Sequence, residues 1–251
     1  DPYAFQRSAW KKQIFWNLMQ KRFLRSADMI HVISREEEQI VLDLFPELRP
    51  KIVFIPNGIE DPLHRNEGKP SADFVTRINE IKKDDSFVFL FLSRINRKKG
   101  LDILLNAFEN LSQQFGVKVQ LIIAGPRDDY SLELDERLKV YSFSNVHRFD
   151  VVTGADKAML LQEVNAFILP SYSEGFSIAA LEALAYSKPC VLSTRIGFAD
   201  ELIAAVAAEI CEPTEDSVLN AMSKIVEDKS YQERLSINAR SLFLEHYQIK
   251  K

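Results

Sequence analysis

The chain has 251 residues, 46% of them hydrophobic and 27% charged, which is enough apolar material for one or two folded domains and too much for a disordered or fibrous chain. Its 32 Lys and Arg against 36 Asp and Glu leave a net charge of -4, without the basic excess of nucleic-acid binders, so nucleic acid is not an expected partner. Cys190 and Cys211 show neither C-x-x-C nor Cys/His spacing and read as free thiols of a reducing compartment. No run reaches the roughly 20 apolar residues of a bilayer span and no signal peptide opens the chain, so a cytoplasmic location is expected. The opening Asp1-Pro2-Tyr3 has no initiator methionine, which points to a processed or partial chain.

Residues 1–25 interleave Arg7, Lys11, Lys12, Lys21, Arg22 and Arg25 with Phe5, Trp10, Phe15, Trp16 and Phe23. That composition suits a helix packed against a preceding domain, the favoured reading, and also suits peripheral contact of residues 5–25 with the inner face of a membrane. Strands predicted at 29–33 and 51–55, with one helix between them, cannot close a sheet alone. Residues 1–54 therefore read as the C-terminal part of an N-terminal domain. The turn at 56–62 and the polar stretch 65–71 form the best linker and hinge.

Strands are then predicted at Phe87–Leu92, 117–124, Val146–Phe149, Ala166–Leu169, Cys190–Ser193 and Glu209–Cys211, with helices in the intervals. In the first interval Leu101, Leu104, Ala107, Phe108 and Leu111 recur at helical spacing, and Gly116 supplies a stop. A wholly apolar strand such as Phe87–Leu92 needs helices on both faces of its sheet. The fold class expected is α/β: residues 55–235 as a Rossmann-like, doubly wound parallel sheet flanked by helices, preceded by a remnant of a similar domain. An amphipathic helix around 231–247 closes the chain, residues 236–251 packing back toward the N-terminal domain.

Two segments could carry chemistry. Residues 169–189 read as strand, turn and helix: Gly175 permits a tight turn, Ser177 is a good N-cap and Pro189 forbids continuation. The turn lies at a strand's carboxyl end, where open α/β sheets bind ligands, and the free N–H groups after Ser177 favour a phosphate. Glu174 and Glu182 are eight residues apart, about 12 Å of helical rise, too far for a carboxylate dyad. They suit an extended ligand with hydroxyls at both ends and a phosphate between, or are ordinary surface acids. After the Phe87–Leu92 strand, Arg94, Arg97, Lys98 and Lys99 crowd the stretch before Gly100. Either this is a solvated basic loop or Arg94 and Lys99 turn inward to a diphosphate. The four histidines are scattered and read as core or surface residues.

Together with residues 26–34, residues 55–59 and Ile123-Ala124-Gly125-Pro126, these segments resemble the donor-binding domain of the retaining glycosyltransferases of family 4 (glycosyl transferases group 1), whose GT-B fold faces two Rossmann-like domains across a cleft. The resemblance implies Arg94 and Lys99 on the donor diphosphate, the backbone N–H groups of Phe176, Ser177 and Ile178 on its phosphates, Glu182 on the nucleotide ribose and Glu174 on the transferred sugar. It also brings Gly125, Arg148, Phe149 and Gly175 to the donor site, the Val146–Phe149 stretch lying near the base. Asp150 and Ser177 depart from glycines common in the family. The implied reaction moves a sugar, with retention, from a nucleotide-diphosphate sugar (UDP favoured, GDP next) to a hydroxyl of a glycan or lipid-linked acceptor. No cofactor and no metal are expected, because cations stand where a D-x-D cluster would. Residues 1–50 do not match the His and Gly-rich loop of the family's first domain. The alternative is thus a nucleotide-sugar-binding module without transferase activity of its own. The sequence does not set the oligomeric state. An NAD-dependent oxidoreductase is a distant third, since G-x-G-x-x-G occurs nowhere.

Overall fold

The computed structural model describes residues 19–83, 86–140 and 144–249, the side chain of Val117 excepted. Positions 1–18, which carry most of the basic aromatic stretch, lie outside the described residues.

The described chain begins with a short helix, α1 (Lys21–Ser26), and a parallel strand pair, β1 (Ile30–Val32) and β2 (Ile52–Phe54), joined through α2 (Arg35–Leu44). Ser34 caps α2 by accepting a hydrogen bond from Glu37 N. Ile30, Val32, Phe45 and Leu48 make a small core separate from the main one. Two strands are too few to be stable alone, so this unit depends on its neighbours.

The main domain takes the elements α3 (Ala72–Ile81), β3 (Phe87–Leu92), α4 (Leu101–Phe115), β4 (Val119–Ala124), α5 (Ser131–Val140), β5 (Val146–Phe149), α6 (Gly154–Glu163), β6 (Ala166–Leu169), α7 (Ile178–Ala185), β7 (Cys190–Ser193), α8 (Ala199–Ala205), β8 (Glu209–Cys211), α9 (Glu215–Glu227) and α10 (Lys229–Leu242). Its six strands are all parallel, in the order β5-β4-β3-β6-β7-β8. Right-handed crossovers put α4 and α5 on one face and α6, α7 and α8 on the other. Residues 88–92 of β3 are buried, as a doubly covered strand requires. Chain order reverses between β3 and β6, so the carboxyl ends of these two neighbours open a crevice at the switch point.

The strand predicted from 117 begins at Val119, because residues 116–118 form a 3-10 turn after the α4 stop. The last helix starts at Lys229, capped by Asp228, runs unbroken through 235 and ends in a π turn over Phe243–Tyr247. The chain then returns to the 56–62 segment: Ile59 N donates to Tyr247 O and Ile249 N to Ile59 O, both at 3.0 Å. Asp61, buried there, receives both nitrogens of the Arg240 guanidinium at 2.9 and 2.5 Å, which holds its carboxyl below the ordinary carboxylate range. The expected hinge is thus clamped to the end of the chain. Cys190 and Cys211 are buried free thiols, and burial pushes both upward, Cys211 to about 12. No helix among the described residues is long and apolar enough to cross a membrane.

Candidate active site at the sheet switch point

Both segments singled out in the sequence leave the sheet at this crevice, one after β3 and one after β6. The β3 loop closes with a 3-10 turn, Arg97–Lys99, capped by the Asn96 side chain, and Gly100 stands between it and α4 with φ of +71°. A Cβ at Gly100 would lie 2.1 Å from Pro170 O, so only glycine lets the two loops touch. The β4 loop repeats the device: Gly125 has φ of +145°, and a Cβ there would lie 1.9 Å from Ser93 O. Tyr172 N also donates to Lys98 O at 2.8 Å, and Tyr172 Oη to Asp102 at 2.9 Å. The two loops are therefore one rigid piece.

Lys99 turns inward as expected and pairs with Glu174; their side chains are only 11% and 12% exposed. Arg94 does not. Its side chain is 64% exposed and donates to Asp128 at 3.1 Å, where Asn96 Nδ2 also donates at 3.2 Å. Asp128, on the β4 loop, is thus the group that holds Arg94, and its only trace in the sequence is an acid soon after a strand's end.

Around the β6 turn the backbone is stitched to the next loop: Glu174 N donates to Arg195 O and Gly197 N to Glu174 O, at 2.9 and 2.8 Å. Gly175 sits in the tight turn without a left-handed conformation. The steric demand sits at Gly197, where a Cβ would come 2.0 Å from Gly175 O. Phe176 packs its ring against Phe198 and Tyr247, with centroids 4.7 and 5.9 Å away. Ser177 caps α7, accepting from Ala180 N at 3.1 Å. The N–H groups of Ile178 and Ala179 fall in the first turn, where a helix supplies no acceptor. Ser171 Oγ, 1% exposed, and Thr194 Oγ1 have no hydrogen-bond partner among the described residues. They follow the carboxyl ends of β6 and β7, and unpartnered hydroxyls at that end are what a polar ligand would satisfy. Thr194, with Arg35, Gly197 and Glu201, also lines a cavity of about 210 Å³.

Glu182, one turn into α7, accepts from Lys157 of α6 at 2.6 Å. No local pattern pointed to Lys157, since it and Glu182 lie 25 positions apart on different helices. The stretch near the expected base site is committed to the protein itself. Arg148 donates to Gly125 O at 3.0 Å, and burial lowers its guanidinium pKa. Phe149 is buried beneath the Arg77 guanidinium, 3.8 Å above its ring, and beside Phe74. Gly125, Arg148 and Phe149 thus make contacts around the β4 turn, while Lys99 pairs with Glu174 and Glu182 with Lys157. Among the described residues no group of three or more His, Cys, Asp or Glu is disposed to hold a metal ion.

The profile of the family described as glycosyl transferases group 1 matches residues 74–242. The chain is 27% identical over 189 residues, 69% of its length, to alpha-1,3/1,6-mannosyltransferase ALG2 of Dictyostelium discoideum, covering 45% of that protein. It is 30% identical over 181 residues, 71% of its length, to D-rhamnosyltransferase WbpZ of Pseudomonas aeruginosa, covering 44% of it. Among solved structures, Anabaena Alr3699/HepE in complex with UDP and glucose superposes with a TM-score of 0.78 at 19% identity, over 99% of this chain and 65% of that one. This likeness shows the GT-B type fold. The chain spans about half the length of the curated relatives it matches. On the fold and on the match across its main domain, the chain belongs to the glycosyl transferases group 1 family.

Proposed function

We propose that the switch-point crevice binds a nucleotide-diphosphate sugar, UDP-sugar in the first place, and that the complete protein transfers the sugar with retention to a hydroxyl of a glycan or lipid-linked acceptor in the cytoplasm. The observation that carries this reading is the meeting of Lys99 and Glu174 between β3 and β6, beside the open N-terminus of α7. An ammonium has three donors, so the pairing with Glu174 leaves two for a diphosphate. Ile178 N and Ala179 N add the helix-terminal contribution, and Arg94, exposed and anchored on Asp128, can fold over the phosphates. When the bond between the anomeric carbon and phosphate oxygen breaks, the electron pair goes to the diphosphate. In this reading these groups stabilise the charge that develops there. The acceptor oxygen forms the new bond on the same face and passes its proton to the departing phosphate oxygen. Glu174 accepts hydrogen bonds from the sugar's hydroxyls, and Glu182 does so from the ribose.

The second reading, a nucleotide-sugar-binding module without transfer of its own, is favoured by the chain's span of about half its relatives. Calorimetric titration with UDP, GDP and ADP tests the binding common to both. One nucleotide binds selectively, and Lys99→Ala weakens it by about 10- to 100-fold through loss of charge-assisted hydrogen bonds. Absence of binding by all three, or equal affinity in the variant, overturns the assignment. Release of nucleotide from the corresponding sugar nucleotide then separates transferase from module.

A further inference from the structure

The crevice places a lysine beside each of its two acids: Lys99 beside Glu174, and Lys157 beside Glu182. Lys157 has no part in the resemblance that marks the other three. We infer that Lys157 is a positioning residue for Glu182, fixing the rotamer in which that carboxylate meets the ribose hydroxyls of the donor nucleotide. This rests on the donor reading above.

Three observations carry it. Lys157 Nζ lies 2.6 Å from Glu182 Oε1, and Glu182 is 14% exposed, so the ammonium takes one carboxylate oxygen inside a partly desolvated site. No described residue hydrogen-bonds Glu182 Oε2, which leaves that oxygen for a ligand hydroxyl. Lys157 itself comes from a fixed element. The neighbouring Asp156 accepts from Ser71 N and Ser71 Oγ at 2.7 and 3.1 Å, tying the first turn of α6 to the end of the linker, and α3 packs against α6. A carboxylate swinging freely about its side-chain torsions must be ordered each time a ribose binds, whereas one already held by an anchored cation has that ordering built in. The positive charge also remains beside Glu182 when a nucleoside closes over it and excludes water.

The test uses the 251-residue chain and the best-binding nucleoside diphosphate among UDP, GDP and ADP, compared with its 2′-deoxy and 3′-deoxy forms and with the bare nucleoside. Wild type binds the ribose form at least about tenfold more tightly than a deoxy form, as one hydrogen bond to a charged acceptor implies. In Lys157→Ala that preference falls to about threefold or less, and Lys157→Arg restores most of it. The gain of diphosphate over nucleoside is the same in all three proteins, which a general loss of structure would not leave intact. A Lys157→Ala chain with the wild-type ribose preference overturns the inference while leaving the donor site standing. A wild type without any ribose preference removes the ribose role of Glu182 and the role of Lys157 together.

Discussion

The two ends of the six-stranded sheet each hold a lysine, half-buried Lys188 at one and buried Lys99 at the other, and they use it differently. At the amino ends of β6 and β7, a cavity of about 490 Å³ is lined by Asn165, Ser187, Lys188 and Gln232. There Lys188 donates to Gln162 O and Val164 O at 2.6 and 2.9 Å, carbonyls that the end of α6 leaves unpaired, and burial lowers its pKa. At the carboxyl ends the cavity is smaller, but Lys99 meets a carboxylate, whose hold a competing anion can replace. Volume alone favours the amino ends, whereas the donor reading favours the carboxyl ends. Strand polarity explains why: helix N-termini and connecting loops gather at the carboxyl ends, while helix C-termini, which need capping cations, gather at the other.

The largest way to break this contrast is steric. Gly100→Ala drives a Cβ to 2.1 Å from Pro170 O at a φ of +71° and forces the β3 and β6 loops apart. Loss of about 3 kcal/mol or more in urea unfolding is expected, with loss of nucleotide binding. Gly154→Ala, at a φ of +54° with nothing within 4 Å, carries only the backbone strain of about 1–2 kcal/mol and keeps binding intact. Equal effects in the two variants would remove the contact between loops as the feature that builds the crevice.

The lysines supply the next comparison. Lys188→Met removes two hydrogen bonds to carbonyls at the amino end and is expected to lower stability by about 1–2 kcal/mol, read as a shifted denaturant midpoint, with unchanged nucleotide affinity. A fall in affinity there would make the 490 Å³ cavity a ligand site and undo the assignment of the two ends.

The central strands Phe87–Leu92, Ala166–Leu169 and Cys190–Ser193 were legible because they are short apolar runs, and the outer strands Val146–Phe149 and Glu209–Cys211 also have the predicted limits although His147, Arg148 and Glu209 interrupt their apolar pattern. Where a glycine starts a tight turn, as at 116–118, apolar pattern alone ran the strand too early. The Ser177 cap was readable because a good N-cap residue stands just before a helix-compatible run, and the inward turn of Lys99 toward Glu174 joins the two loops that follow β3 and β6. Arg94 points outward because it pairs with Asp128, 34 positions away, and a charge run does not reveal which of its members has a tertiary partner. Lys157 was invisible for the same reason. The resemblance brings Arg148 and Phe149 to the donor site, and their contacts with Gly125, Arg77 and Phe74 are tertiary and had no trace in the local pattern. Pattern reports local conformation and polarity of the chain, while partner choice across helices is set by packing.

A smaller effect sharpens the contrast from a position on the edge strand β5. His147, opposite Ile122 in register, has its Nε2 2.7 Å from Gln120 Oε1, and burial together with the charge of Arg77 pushes its imidazole below the ordinary value of 6.5. The unfolded chain therefore takes up a proton here before the folded one does. Above about pH 7 both are neutral and the residue adds no pH dependence; as pH falls below 6.5 the unfolded state gains, and stability is lost until the folded pKa is passed. The slope from one such group is at most about 1.4 kcal/mol per pH unit. Denaturant midpoints between pH 7.5 and 5.5 should fall less steeply in His147→Gln than in wild type, the difference being this residue's share. Nucleotide affinity over the same range should show no matching difference between the two proteins, because the imidazole is engaged with Gln120 in the sheet. An affinity change that follows the stability change and disappears in the variant would bring His147 to the ligand and extend the binding end of the sheet as far as β5.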